Sequence, residues 1–377
     1  MISHKFKISD IFLYCLAISM CMRFFSFGIP ATTFPFILGI IVCLVVFSVY
    51  RFEFNIIILI ALLLTLALLH SLLTNHKFDH VIKLFSLSLI FYSSRLLLCI
   101  SRNPIGLFNN IILLNILFLL LEMFGRIFFG DHFRSEESTF VESDSIDVFF
   151  LVGFYKFKLG SPFFLDSNFA AIHGFILLLS MVRLKKFITI YDLKLFTLII
   201  IILLTFSRAA IICLLIFLFF LSLQKYSAKT QISIYSLLLV LIFLFALWLL
   251  DDWSLQTKFS VWERFFGHDF DVHHLFFGYG VGDGKYIFGW EEGFTSHSLI
   301  PSIVGEFGFL GLSIFFVALY SIANNFSTKR WVFFILILLL GFSLYDPLEP
   351  LLFFFAGLSK TLRLGGSCNS LRQRLIN

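Results

Sequence analysis

Charge is scarce in this chain. Only 14% of its 377 residues are Asp, Glu, Lys or Arg, and 59% are hydrophobic, whereas soluble domains carry about 25% charge. That shortage excludes a soluble globular fold and leaves an integral membrane protein as the expectation. Alternation with period two is also missing from the apolar runs, which excludes the strands of a membrane barrel. The six cysteines form no CxxC and no Cys/His pairing, so neither a disulfide framework nor a thiolate metal centre is expected. No repeat of 20–50 residues appears, nor the paired, Gly/Pro-broken helices of an inverted-repeat transporter. The first apolar run lacks a small-residue cleavage site and reads as a retained span.

What is present is a succession of apolar runs. A helix needs about 20 apolar residues to cross hydrocarbon. By that measure spans are expected near 9–29, 34–50, 55–74, 83–101, 105–128, 163–182, 192–206, 209–224, 231–250, 298–322, 331–345 and 348–362. The expected fold is therefore an all-α integral membrane protein of about 12 transmembrane helices, one polytopic domain over 1–377. Cations mark every second connection: Lys5 and Lys7, Arg51, Arg102, Arg183 with Lys185 and Lys186, Lys225 and Lys229, and Lys329 with Arg330. Arg363, Arg372 and Arg374 close the series. The positive-inside rule puts that side, and both termini, in the cytoplasm. Two long connections, 130–162 and 251–297, carry most of the acidic residues and are expected to face outward.

The 32 residues of 193–224 are interrupted only by Ser207 and Arg208. As one helix they would run roughly 48 Å, too long for a core of about 30 Å. Cations flank both ends, so a hairpin of two short spans with Arg208 at its outer tip is expected. Arg208 there either snorkels to the interface or clamps an anion through its guanidinium fork. Arg264, in "VWERFFGHDFDVHH", is placed on the second outward loop, with Glu263 as the alternative partner. Arg134, in "DHFRSEES", has acidic neighbours that suit a solvated loop charge.

His268, Asp269, Asp271, His273 and His274 have residue types that suit zinc or manganese. They are read as loop residues with no helix to fix their spacing, so no metal site is assigned. "GYGVGDG" (278–284) lacks the G-x-G-x-x-G order and a surrounding βαβ unit, which excludes a dinucleotide loop. His297 stands four residues before Pro301, a residue suited to the first turn of a helix. That position puts an imidazole at the membrane surface, where it can act as a general base or simply cap the helix. Gly305, Gly308 and Gly311 read as a smooth strip for helix packing, with Glu306 buried among them. Asp166 and Asn168 fall where the chain re-enters the membrane, and a helix cap explains either.

Taken in order, these residues resemble the O-antigen polymerase and O-antigen ligase superfamily of bacterial surface-polysaccharide enzymes. The matching pieces are Asp166-x-Asn168, Ser207-Arg208, Arg264, "LFFGYGVGDG" (275–284) and "HSLIPSIVGEFGFLG" (297–311), spread over about residues 160–315. Ser298 stands where the family has Asn. The resemblance implies a GT-C-like architecture in the bacterial inner membrane, multi-pass, with its active site facing the periplasm. It implies an inverting, metal-independent glycosyltransferase with no cofactor. Its donor and acceptor would be undecaprenyl-diphosphate-linked oligosaccharides, its other partners membrane lipid and a chain-length regulator, with no nucleic acid. His297, Arg208 and Arg264 would be catalytic. Asp166, Asn168, Ser207, Gly280, Glu306 and Arg134 would contact substrate. Polymerase is favoured over ligase on the short, Phe-rich chain. A flippase should spread ionisable groups along a central path, whereas here they gather in outward loops and at helix ends.

Overall fold

The computed structural model describes residues 8–22, 35, 37–42, 78–129, 163–164, 167–223, 253–280, 298–326, 330–343 and 349–363. All regular structure among them is helical. In chain order the helices are α1 Ile8–Cys21, α2 Phe78–Ile100, α3 Pro104–Phe129, α4 Ser167–Arg183, α5 Tyr191–Leu204 and α6 Arg208–Leu223. Then come α7 Trp253–Gly267, α8 Val272–Phe277, α9 Leu299–Phe326, α10 Arg330–Ser343 and α11 Pro350–Arg363. Among the described residues the expected apolar runs form helices, with 298–322 interrupted at Gly308. The runs at 9–29 and 34–50 are described only in part, and those at 55–74 and 231–250 lie outside the described residues.

Among the described residues two helices, Pro104–Phe129 and Leu299–Phe326, are long and apolar enough to cross a membrane. On α3 the pattern divides the helix lengthwise. Ile112, Asn115, Ile116, Leu119, Glu122, Met123 and Arg126 are buried, while Leu113, Leu117, Leu120, Phe124 and Phe128 are exposed. Steps of three and four residues put each set on one face. An exposed apolar stripe of that length marks a surface that meets lipid or another protein.

The helices group into two compact units. The first comprises 1–207, 320–333 and 348–377; the second comprises 208–319 and 334–347. In the first unit α11 lies close along α2. Gly357 faces the Phe91 carbonyl and the Ser94 hydroxyl so tightly that a Cβ would overlap both. Thr361 donates to the Arg95 carbonyl at 3.0 Å. Small residues and hydroxyls are what let two apolar helices approach and hold register.

Buried polar groups tie α1, α3 and α4 together. The Asn115 Oδ1 accepts from Cys21 Sγ at 3.3 Å and lies 2.8 Å from His173 Nε2. Two turns further along α3, Glu122 and Arg126 form a fully buried ion pair, and the Phe163 backbone N–H donates to Glu122 Oε2 at 2.9 Å. Burial of such a pair is sustained by the direct contact of the two charges and the Arg126 Nε bond to Glu122 Oε1 at 2.7 Å. Asn109 holds the connection between α4 and α5, donating to the Phe187 carbonyl at 2.7 Å and accepting from Thr189 N at 2.9 Å. Cys99 is disulfide-bonded, which corrects the expectation of none. Spacing along a chain does not reveal which thiols helix packing brings together.

The long run at 193–224 is two helices. α5 ends at Leu204, Phe206 takes φ 53°, and Ser207 N donates to Thr205 Oγ1 at 3.3 Å before α6 begins at Arg208.

In the second unit Cys213 of α6 donates to the Leu336 carbonyl of α10 at 3.7 Å, and Gly341 of α10 packs against Leu299 of α9. The expected continuous span at 298–322 is instead broken. Gly308 has φ 66° and ψ −171°, which no α-helix contains. The strip of glycines therefore does not serve helix packing alone. At Gly308 the contact is with backbone: an added Cβ would overlap the Phe276 carbonyl, and at Gly278 (φ 77°) it would overlap that of Glu306. Two backbones cross there, and each supplies a glycine to the other.

Both positions also have left-handed φ, so replacement is opposed twice. Gly278→Ala and Gly308→Ala should each cost more than about 2 kcal/mol and sharply lower the folded yield and unfolding temperature. Gly267→Ala, where nothing lies within 4 Å of the added carbon, should leave both unchanged in the same fluorescence-detected size-exclusion and thermal-unfolding assay.

Candidate functional site

The crossing frees backbone groups and then satisfies them. Breaking α9 at Gly308 leaves the carbonyls at the end of its first half without helical donors. Tyr279 N donates to the Gly305 carbonyl at 2.7 Å, and Gly280 N to the Glu306 carbonyl at 3.1 Å. The segment 278–280 is thus stitched to the turn that carries Glu306. At the other end of this half-helix Pro301 lies in the first turn, where its missing N–H costs nothing. The buried Ser298 accepts from Ser302 N at 3.0 Å.

α7 covers this half-helix. Val261 and Phe265, one turn apart, join Val304 in a buried cluster, with Trp262, Phe270, Tyr279, Ile300 and Leu312 packed around it. With that face inward, Glu263 and Arg264 are exposed. Arg264 therefore stands in the last turn of a helix, which corrects its placement on a loop. The reason is legible afterwards: Val261, Trp262 and Phe265 recur at helical spacing inside a polar stretch.

The histidine stretch is likewise more ordered than a loop. Asp271 caps α8, its Oδ1 accepting from His274 N at 2.8 Å and its Oδ2 lying 2.5 Å from His274 Nδ1. The His274 ring stacks on Tyr279 at 4.1 Å with planes 11° apart, and the Tyr279 hydroxyl is 2.6 Å from His268 Nε2. Hydrogen bonds from the His274 backbone and side chain hold Asp271 below the usual carboxylate range. Burial, helped by the Asp271 charge, pushes the Tyr279 phenol up, so it keeps its proton at neutral pH.

The structure brings Gly280 and Glu306 into direct backbone contact and packs the helix bearing Arg264 onto the half-helix bearing Glu306. Glu306 is half-buried rather than buried, being at the last turn before the break. Arg208, half-buried, opens α6 in the same unit. Ser207, buried, and Asn168, half-buried near the start of α4, belong to the first unit. His297, Asp166 and Arg134 lie outside the described residues.

Sequence reading missed Gly278 as the partner of Gly308, and it missed the Glu122–Arg126 pair. The second had a signal: a glutamate and an arginine at i, i+4 inside an otherwise apolar run. The first had none, because a crossing of two distant backbones leaves no periodic trace. No protein-family model, curated protein or solved structure matches this chain.

Tyr279 is the joint between the crossing and the histidines. Tyr279→Phe keeps the ring stack and the backbone bond and should cost only about 1 kcal/mol. Tyr279→Ala removes the stack and its share of the cluster at Val304 and should cost about 3 kcal/mol. Thermal unfolding of the two variants in detergent, compared side by side, checks the ordering.

Proposed function

We propose that this protein is a polytopic membrane glycosyltransferase that polymerises surface polysaccharide from lipid-linked repeat units. The observation that carries the reading is the pairing of residues 278–280 with the Gly305–Glu306 turn. Those residues belong to the two longest pieces of the resemblance, which are separated in sequence and joined here by backbone hydrogen bonds. The exposed apolar stripe on α3 and the break at 205–207 support the expected membrane setting.

In this reading the reaction takes place at the outer face of a bacterial inner membrane. The acceptor is the terminal sugar of one undecaprenyl-diphosphate-linked repeat unit. Its hydroxyl attacks the anomeric carbon of a glycan held on a second such carrier. The new C–O bond forms as the anomeric C–O bond to diphosphate breaks, and the configuration inverts. His297 accepts the proton lost by the attacking hydroxyl. Arg208 and Arg264 stabilise the negative charge that grows on the departing undecaprenyl diphosphate, through paired N–H donors. Asp166, Asn168, Ser207, Gly280, Glu306 and Arg134 position the sugars and the carrier. A second membrane protein would set chain length.

A lipopolysaccharide gel from cells carrying chain variants tests this. His297→Ala and Arg208→Lys, expressed at the normal level, should each leave core capped with a single repeat unit and no ladder of longer chains. Lysine keeps the charge but loses the bidentate fork, so a normal ladder from Arg208→Lys would return that residue to an interfacial anchor. A bare core with long lipid-linked polymer accumulating would make the protein the ligase. Loss of repeat units from the outer leaflet would make it the flippase.

A further inference from the structure

Asp271, His273 and His274 each offer one ligand atom, and these atoms all lie within 4.8 Å of one another. The sequence suggests a formless loop here, yet all three residues are held. Asp271 is fixed as the N-cap of α8 through the His274 backbone N–H at 2.8 Å. The His274 ring is pinned by its stack on Tyr279, whose own backbone is bonded to Gly305. The His273 ring stands edge-on to His274 with centroids 5.4 Å apart, and contacts Phe277 at 5.3 Å.

We propose that Asp271, His273 and His274 form a binding site for a borderline first-row dication of the Zn2+ class. Two imidazoles and one carboxylate are the donor set such ions prefer, whereas Ca2+ and Mg2+ seek oxygen alone. Bonds of about 2.0–2.2 Å require the three atoms to draw closer, and the 2.5 Å contact between His274 Nδ1 and Asp271 Oδ2 to open around the ion. Both movements are rotations of side chains that reach solvent: Asp271 is 60% and His274 34% exposed. Water completes the coordination. All three ligands lie on the first turn of α8, so the cation would stiffen that turn beside Tyr279, on which His274 stacks. The site stands apart from the proposed transfer reaction and does not rest on it.

The test is metal binding to the purified full-length protein in detergent, made without a histidine tag and stripped with chelator. Zn2+ is titrated by calorimetry and Co2+ by its visible absorption. The expected result is one equivalent bound, with affinity weakened at least about tenfold in His273→Ala/His274→Ala. Asp271→Asn should weaken binding similarly while preserving α8, since Asn caps a helix as well as Asp. Its unchanged unfolding temperature separates loss of a ligand from loss of fold. No stoichiometric binding by the wild type would overturn the site. So would wild-type affinity in the double variant, which would assign the metal to other histidines, or displacement of Co2+ by millimolar Mg2+.

Discussion

At 276–280 and 305–308 two stretches of backbone come closer than any side chain would allow, and the second unit is organised around that approach. The break in α9 at Gly308 would leave carbonyls unsatisfied in a low-dielectric setting, where each orphan costs several kcal/mol. The amides of Tyr279 and Gly280 meet them. Everything described nearby follows from this bond pair. Tyr279 is fixed by it, and the His274 stack, the His268 contact and the packing of α7 on Val304 are fixed through Tyr279. A half-helix that ends inside the fold also presents its terminal turn, with Glu306, to the segment crossing it.

The first unit meets the problem of polar groups in an apolar setting differently. There the helices remain intact, and side chains provide the cross-links: Asn115 with Cys21 and His173, Asn109 with the 187–189 turn, and Glu122 with Arg126 and Phe163 N. Such links give register to surfaces that dispersion alone would leave free to slide.

Element type was legible because it rests on local hydropathy. The runs that became α3, α4, α6 and α10 declare themselves by length and apolarity, and the break at Ser207–Arg208 by the geometry of a bilayer. The segment at 253–280 was less legible. Val261 and Phe265 are helical in spacing, but a polar neighbourhood hid the pattern of α7. Asp271 followed by His274 is an N-cap signature, yet α8 has only six residues, too short to show a period. The glycine spacing at 305, 308 and 311 suggested a packing strip, and only three-dimensional contact with Phe276 distinguishes a strip from a crossing. Of the candidate residues, Gly280 and Glu306 proved to be partners through backbone atoms, which residue chemistry alone does not disclose.

The central question is whether this chain by itself moves a glycan between lipid carriers. Purified protein reconstituted in vesicles, with a single undecaprenyl-diphosphate-linked repeat unit as both donor and acceptor and no nucleotide sugar, measures that directly. The account predicts a series of longer lipid-linked glycans, with one undecaprenyl diphosphate released per unit added. Movement of the unlengthened substrate from one leaflet to the other, with no diphosphate released, would contradict it.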